Sequence, residues 1–175
     1  ASNQIMTDAA DLAFVGAVNS AEIYAQELRL AGTSNAIDWV IGGFYTDAEE
    51  SQAADVEIYS EGVLTQALRD FEIPATSKTK AIFGNLSYQI NDELTVSLGA
   101  RSFEDDRTFD IPPFGISSSG TFENVSLKGS ISYTPTENSN LYLSISEGFR
   151  SGGFNAFGGG PDYDPESMIS YEVGA

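Results

Sequence analysis

The chain has 175 residues, 26 of them acidic and 8 basic, for a formal net charge of −18. So few Lys and Arg cannot supply the clustered cations that nucleic-acid phosphates require, and nucleic acid is excluded as a partner. With no His and no Cys, the sequence cannot build an imidazole or thiolate metal site, a Ser-His-Asp triad or a Cys nucleophile, and no metal site or cofactor is expected.

No apolar run is long enough for a transmembrane helix. A transmembrane β-barrel, however, crosses with short alternating segments and reads as moderately polar, in keeping with 41% hydrophobic residues. In chain order, residues 1–20 offer no assignment beyond a loop or strand remnant. Weak two-faced patterning predicts strands over 22–31, where Tyr24, Leu28 and Leu30 oppose Glu27 and Arg29, and over 37–46, which is apolar on both faces. Alternation sharpens over 82–90, with Ile82, Gly84, Leu86, Tyr88 and Ile90 against Phe83, Asn85, Ser87 and Gln89. Beyond the turn at Asn91-Asp92-Glu93, Leu94, Val96, Leu98 and Ala100 oppose Thr95, Ser97, Gly99 and Arg101, which completes a hairpin. Val125, Leu127, Gly129, Ile131 and Tyr133 then oppose Asn124, Ser126, Lys128, Ser130 and Ser132. Two further strands set Leu141, Leu143 and Ile145 against Tyr142, Ser144 and Ser146, and Ile169, Tyr171 and Val173 against Ser170, Glu172 and Gly174. The expectation is an all-β antiparallel meander of about seven strands.

The connections alternate between short (32–36, 91–93, 134–140) and long (47–78, 104–121, 151–165). A compact soluble meander keeps its connections short, whereas an outer-membrane barrel has short periplasmic turns and long extracellular loops in strict alternation. Acidic residues gather in the long connections and the apolar rows are almost free of charge, as a lipid-facing row must be. Lys80 shares the parity of Ile82 at a strand end, where its stem can lie on apolar surface while the ammonium reaches water. Trp39, Tyr45, Tyr88 and Tyr133, near strand ends, suit aromatic girdles.

Several stretches resemble the TonB-dependent outer-membrane receptors, in the group of iron-complex or siderophore receptors. The paired segments 25–31 and 38–45, and 81–88 with 94–101, are similar to hairpins of such barrels. The most specific likeness is the run Leu141-Tyr142-Leu143-Ser144-Ile145-Ser146-Glu147-Gly148-Phe149-Arg150-Ser151-Gly152-Gly153-Phe154-Asn155, followed by Tyr163-Asp164-Pro165-Glu166 and Ser170-Tyr171-Glu172-Val173-Gly174. Glu147 stands where the family commonly has a basic residue. The resemblance implies a plugged barrel of the 22-strand class, of which residues 21–175 form a part, with signal peptide, plug and closing strands outside the segment. It further implies localisation in the outer membrane, contact with its lipid bilayer, and uptake of an iron-siderophore or similar chelate energised by the TonB complex through missing parts of the parent chain. No bond-making chemistry is expected.

Site residues follow from the same reading. The Gly-rich run 151–161 lacks the Lys and the helix of a phosphate loop, so it reads as an extracellular loop. Phe114, Phe154, Asn155, Phe157 and Tyr163 are the ligand-contact candidates. Glu27, Arg29, Arg101, Lys128 and Glu172 are the candidates for facing the lumen and holding the plug. Glu104-Asp105-Asp106 and Asp47-Ala48-Glu49-Glu50 lack EF-hand spacing and read as solvated acidic loops. The rival architecture is a soluble or secreted acidic β-sandwich that binds carbohydrate or divalent cations. A glycosidase would need two carboxylates singled out by pattern, and none are.

Overall fold

The computed structural model describes residues 2–7, 11–60, 63–155 and 161–175. They form one antiparallel sheet of eight strands in sequential order: β1 (Ser2–Thr7), β2 (Asp11–Ser34), β3 (Ile37–Ser60), β4 (Val63–Gln89), β5 (Leu94–Ile111), β6 (Ile116–Thr136), β7 (Ser139–Arg150) and β8 (Glu166–Gly174). The extra strand, β1, falls in the first twenty residues, for which the sequence offered no assignment. Within the described residues no second sheet packs against the first, so the sandwich alternative fails. The sheet is open, with β1 and β8 as its edges.

Register gives each face a single character. On one face Leu30 lies opposite Ile41, Trp39 opposite Leu86, Leu86 opposite Leu98, Ala100 opposite Leu127, Ile131 opposite Leu143 and Ile145 opposite Tyr171. These apolar side chains are largely exposed, up to 81% for Val173, an area far beyond the patch a water-soluble monomer tolerates. On the other face Thr33, Asp38, Ser87, Ser97, Ser130, Ser144 and Glu172 follow one another across the ladder. Along β6 the polar-face side chains from Phe122 to Ser126 are consistently more covered than their apolar-face neighbours. At Phe122 part of that cover comes from the segment after β7, whose Phe154 ring lies 6.4 Å away.

Short turns close one end. Asn35 adopts φ 51° in the two-residue turn before β3, a left-handed conformation that Asn tolerates. The Asn91 side chain accepts from the Glu93 and Leu94 amides at 2.9 and 2.8 Å. At the other end two of the three expected long loops are absent as loops. Residues 47–60 continue β3 and 63–78 belong to β4, paired from Asp47↔Lys78 upward through two irregularities. Residues 104–111 and 116–121 likewise extend β5 and β6, joined by a 3₁₀ turn at Pro112–Phe114. Beyond the apolar belt both faces of a strand meet water or protein, so the hydropathy contrast vanishes while backbone pairing continues. The two tall hairpins lean together through a small core of Ala54, Phe71, Ile73 and Ile111, flanked by Phe109 and Ile116.

Candidate functional site

The polar row of β5 does not stop at the edge of the apolar belt. From Thr95, Ser97, Gly99 and Arg101 it runs on through Phe103, Asp105, Arg107 and Phe109, while the opposite row changes from Leu98 and Ala100 to Glu104 and Asp106. Asp105 therefore lies above the apolar belt, and it is 1% exposed. Its Oδ1 accepts from Ser77 Oγ at 2.7 Å and Thr79 Oγ1 at 3.3 Å. Its Oδ2 accepts from Arg107 Nε at 2.6 Å and Ser151 Oγ at 2.8 Å. Burial pushes the carboxyl upward, but hydrogen bonds from Ser77, Ser151 and Arg107, with the Arg107 charge, outweigh it and hold the group below its ordinary value.

Three of those donors belong to the sheet, while Ser151 belongs to the segment that leaves β7. Arg107 Nη1 also donates to the Gly152 carbonyl at 3.3 Å. Gly153 and Tyr163 exchange both backbone hydrogen bonds at 3.0 Å, and the Phe154 ring lies 6.4 Å from that of Phe122. Residues 151–155 and 161–165 thus form a strap laid on the polar face. Its glycines are required by close approach. A Cβ on Gly152 would sit 2.6 Å from the Phe122 ring and 2.5 Å from the Tyr163 carbonyl, and one on Gly153 would overlap the Tyr163 ring.

The strap roofs a cavity of about 410 Å³, lined by Ala48, Glu50, Ser77, Arg107, Phe109, Phe154 and Tyr163 among others. A neighbouring cavity of about 440 Å³ shares Glu50, Ala75 and Phe109 and adds Asn19, Gln52 and Ile73. Together they make a two-lobed recess with aromatic surface on one side and amide groups on the other. No group of three or more potential metal ligands occurs among the described residues.

Of the ligand-contact candidates, Phe154 and Tyr163 come together in this recess, and the backbone N–H of Asn155 donates to Asp162 Oδ1 at 3.1 Å. Phe114 stands apart, 52% exposed in the 3₁₀ turn with its ring edge-on to Phe71 at 6.4 Å, and Phe157 lies outside the described residues. All five lumen candidates share the polar face by register. There Arg29 pairs with Glu27 and lies over the Phe83 ring at 5.8 Å, and Arg101 lies over Phe103 at 5.3 Å. Glu172 accepts from the Tyr142 hydroxyl at 2.6 Å, and Lys128 faces Gly99 and Ser146 across the ladder.

The acidic run Glu104-Asp105-Asp106 is neither a solvated loop nor one cluster. It is strand, so its side chains alternate: Asp105 turns inward, while Glu104 and Asp106 lie 3.1 and 4.0 Å from Lys80 Nζ on the outer surface. Asp47 likewise lies in β3 beside Lys78, at 3.4 Å. Asp105, Arg107, Ser151 and Glu50 went unrecognised as a site, although the odd-numbered row continuing from Arg101 to Phe109 was a readable signal for two of them.

Solved structures with this fold include the ferric yersiniabactin uptake receptor FyuA from Yersinia pestis, with a TM-score of 0.67, 18% identity and coverage of 98% of this chain and 28% of that one. The ferric citrate transporter FecA in its unliganded form gives a TM-score of 0.69, 13% identity and coverage of 98% and 27%. The chain therefore spans less than a third of either structure. No curated protein matches the sequence. The family model for the TonB dependent receptor-like beta-barrel matches residues 6–175. With a two-faced sheet, tall hairpins above an apolar belt, and a family match over nearly its whole length, the chain belongs to the TonB-dependent receptor β-barrel family.

Proposed function

We propose that the parent protein is an outer-membrane receptor that takes up an iron-siderophore or similar chelate, energised through TonB, and makes or breaks no covalent bond in its ligand. The observation that carries this reading is the placement of one recess on the polar face, above an apolar belt of membrane height. From Lys80 to Tyr88 the outward row of β4 spans eight residue-to-residue steps, which is about 27 Å along a strand and about 20 Å of depth at a barrel tilt near 40°. In this reading the apolar face meets lipid and the polar face lines the lumen. Glu27, Arg29, Arg101, Lys128 and Glu172 face the plug, and Phe154, Asn155 and Tyr163 contribute to ligand capture from outside. Phe114 and Phe157 retain the same assignment as loop contacts. A concave site with aromatic walls and a few convergent polar groups suits a heteroatom-rich chelate.

The test is uptake of radiolabelled iron chelates by cells carrying the full-length gene, compared with cells lacking it or lacking TonB, alongside membrane fractionation. Uptake that needs both genes, with the protein in the outer-membrane fraction, is expected. A soluble parent protein, or iron uptake indifferent to its deletion under iron limitation, would sink the proposal.

A further inference from the structure

Five of the seven described basic side chains are committed to carboxylates. Arg29 pairs with Glu27, Lys78 with Asp47, Lys80 with Glu104 and Asp106, Arg107 with Asp105, and Arg150 with Glu166. Arg101 and Lys128 have no carboxylate partner among the described residues. Both stand lower on the polar face, at the level of the apolar belt, where Arg101 is opposite Phe83 and Ser126 and Lys128 is opposite Ser146. Arg107 reaches the recess, but its Nε is held by Asp105 and its Nη1 by the Gly152 carbonyl.

The opposite sign is open. Glu50 is exposed where the two lobes adjoin, and no ion pair or hydrogen bond engages its carboxylate among the described residues. Among the described residues, a ligand entering there meets an uncompensated negative charge and no free cation. The wider field has the same sign, since the chain carries −18 and its tall hairpins hold Glu49, Glu72, Asp110 and Glu123. Such a field concentrates cations at a cleft and slows anions, and salt screens it.

We propose that this recess selects chelates of neutral or positive net charge, with Glu50 as a specificity-determining residue. The inference rests on the uptake reading above and adds the charge class of its substrate. N–H or O–H groups of the chelate donate to Glu50 and to the amide oxygens of Asn19 and Gln52, while its apolar surface lies on Phe109, Phe154 and Tyr163. An anionic chelate finds no counter-charge among these groups.

The test uses the full-length parent receptor in detergent and two probes, cationic ferrioxamine B and anionic ferric citrate, titrated calorimetrically at low and high salt. Ferrioxamine B is expected to bind more tightly, with the difference narrowing as salt rises. Glu50→Gln should weaken the cationic probe roughly threefold to tenfold and leave ferric citrate unchanged or slightly improved, and Glu50→Arg should reverse the preference. Heat-modified gel mobility verifies that each variant is folded. Tighter binding of ferric citrate by the unaltered receptor, or a preference unmoved by both substitutions, overturns the proposal. If neither probe binds, the charge-class inference falls, while the uptake reading stands or falls on its own cellular assay.

Discussion

Asp105 keeps its charge in a place that burial alone would forbid, because four donors converge on two oxygens. An Asn in its place offers one acceptor oxygen and turns an NH₂ group toward donors. Asp105→Asn is therefore expected to cost about 2 kcal/mol, read as a lower midpoint in chemical unfolding of the full-length protein. Ser151→Ala removes only the strap's bond and leaves the wall donors in place, at a cost of about 1 kcal/mol. Its signature is faster hydrogen exchange at the Gly153 and Tyr163 amides, with the sheet unaffected. The sign of the pH effect follows from the depressed folded-state value. The Asp105 contribution is complete above the ordinary carboxyl value of 3.8 and is lost as pH falls below it through the folded-state value. Acidification below about pH 4 should thus loosen the strap in the unaltered protein, while Asp105→Asn shows no such step. Gly153→Ala should open the strap through overlap with the Tyr163 ring, and Gly153→Ala combined with Tyr163→Ala should relieve that overlap.

Along a strand, period-two alternation makes neighbouring substitutions unequal. Leu127→Lys on the apolar face should destabilise by about 2–4 kcal/mol, whereas Ser126→Lys, one residue away on the polar face, should change stability far less. Equal effects in a folding assay into lipid vesicles would contradict the assignment of faces. The β6–β7 ladder ends at Lys128↔Ser146, and Glu147 accepts from the Leu127 amide at 3.0 Å just beyond it. The carboxylate satisfies a backbone donor that the diverging strand abandons. This gives Glu147 a local reason where the family commonly has a basic side chain, which offers no acceptor. Glu147→Gln should preserve protection of the Leu127 amide, and Glu147→Leu should abolish it. Element boundaries were legible where one face is apolar, as from Leu94 to Ala100, and illegible from Asp47 to Lys78, where pairing rests on backbone hydrogen bonds that leave no hydropathy trace.

At the scale of the molecule, apolar residues that would form a core in a soluble protein point outward together. Val173, Leu28, Tyr171 and Ile82 are each more than 65% exposed, and both edge strands present unpaired backbone groups. Expressed alone in water, this 175-residue chain should pellet or require detergent. A monodisperse soluble monomer in analytical ultracentrifugation would contradict the membrane reading of the apolar face. The family model and the two solved structures agree on the barrel architecture.

The amino-acid sequence by itself determined the strand class, the two faces and the family likeness, because an apolar face on one side and a polar face on the other write a period of two into Leu94–Ala100 and Val125–Tyr133. It also placed Glu27, Arg29, Arg101, Lys128 and Glu172 on one face through parity alone. Only the tertiary structure decided that 47–78 and 104–121 pair as tall hairpins and that Asp105 is buried. It also brought Ser151, 46 residues along the chain from Asp105, onto that carboxylate. Those features depend on register between strands and on a strap folding back over them, and neither distance nor burial is encoded in the alternation of a single strand.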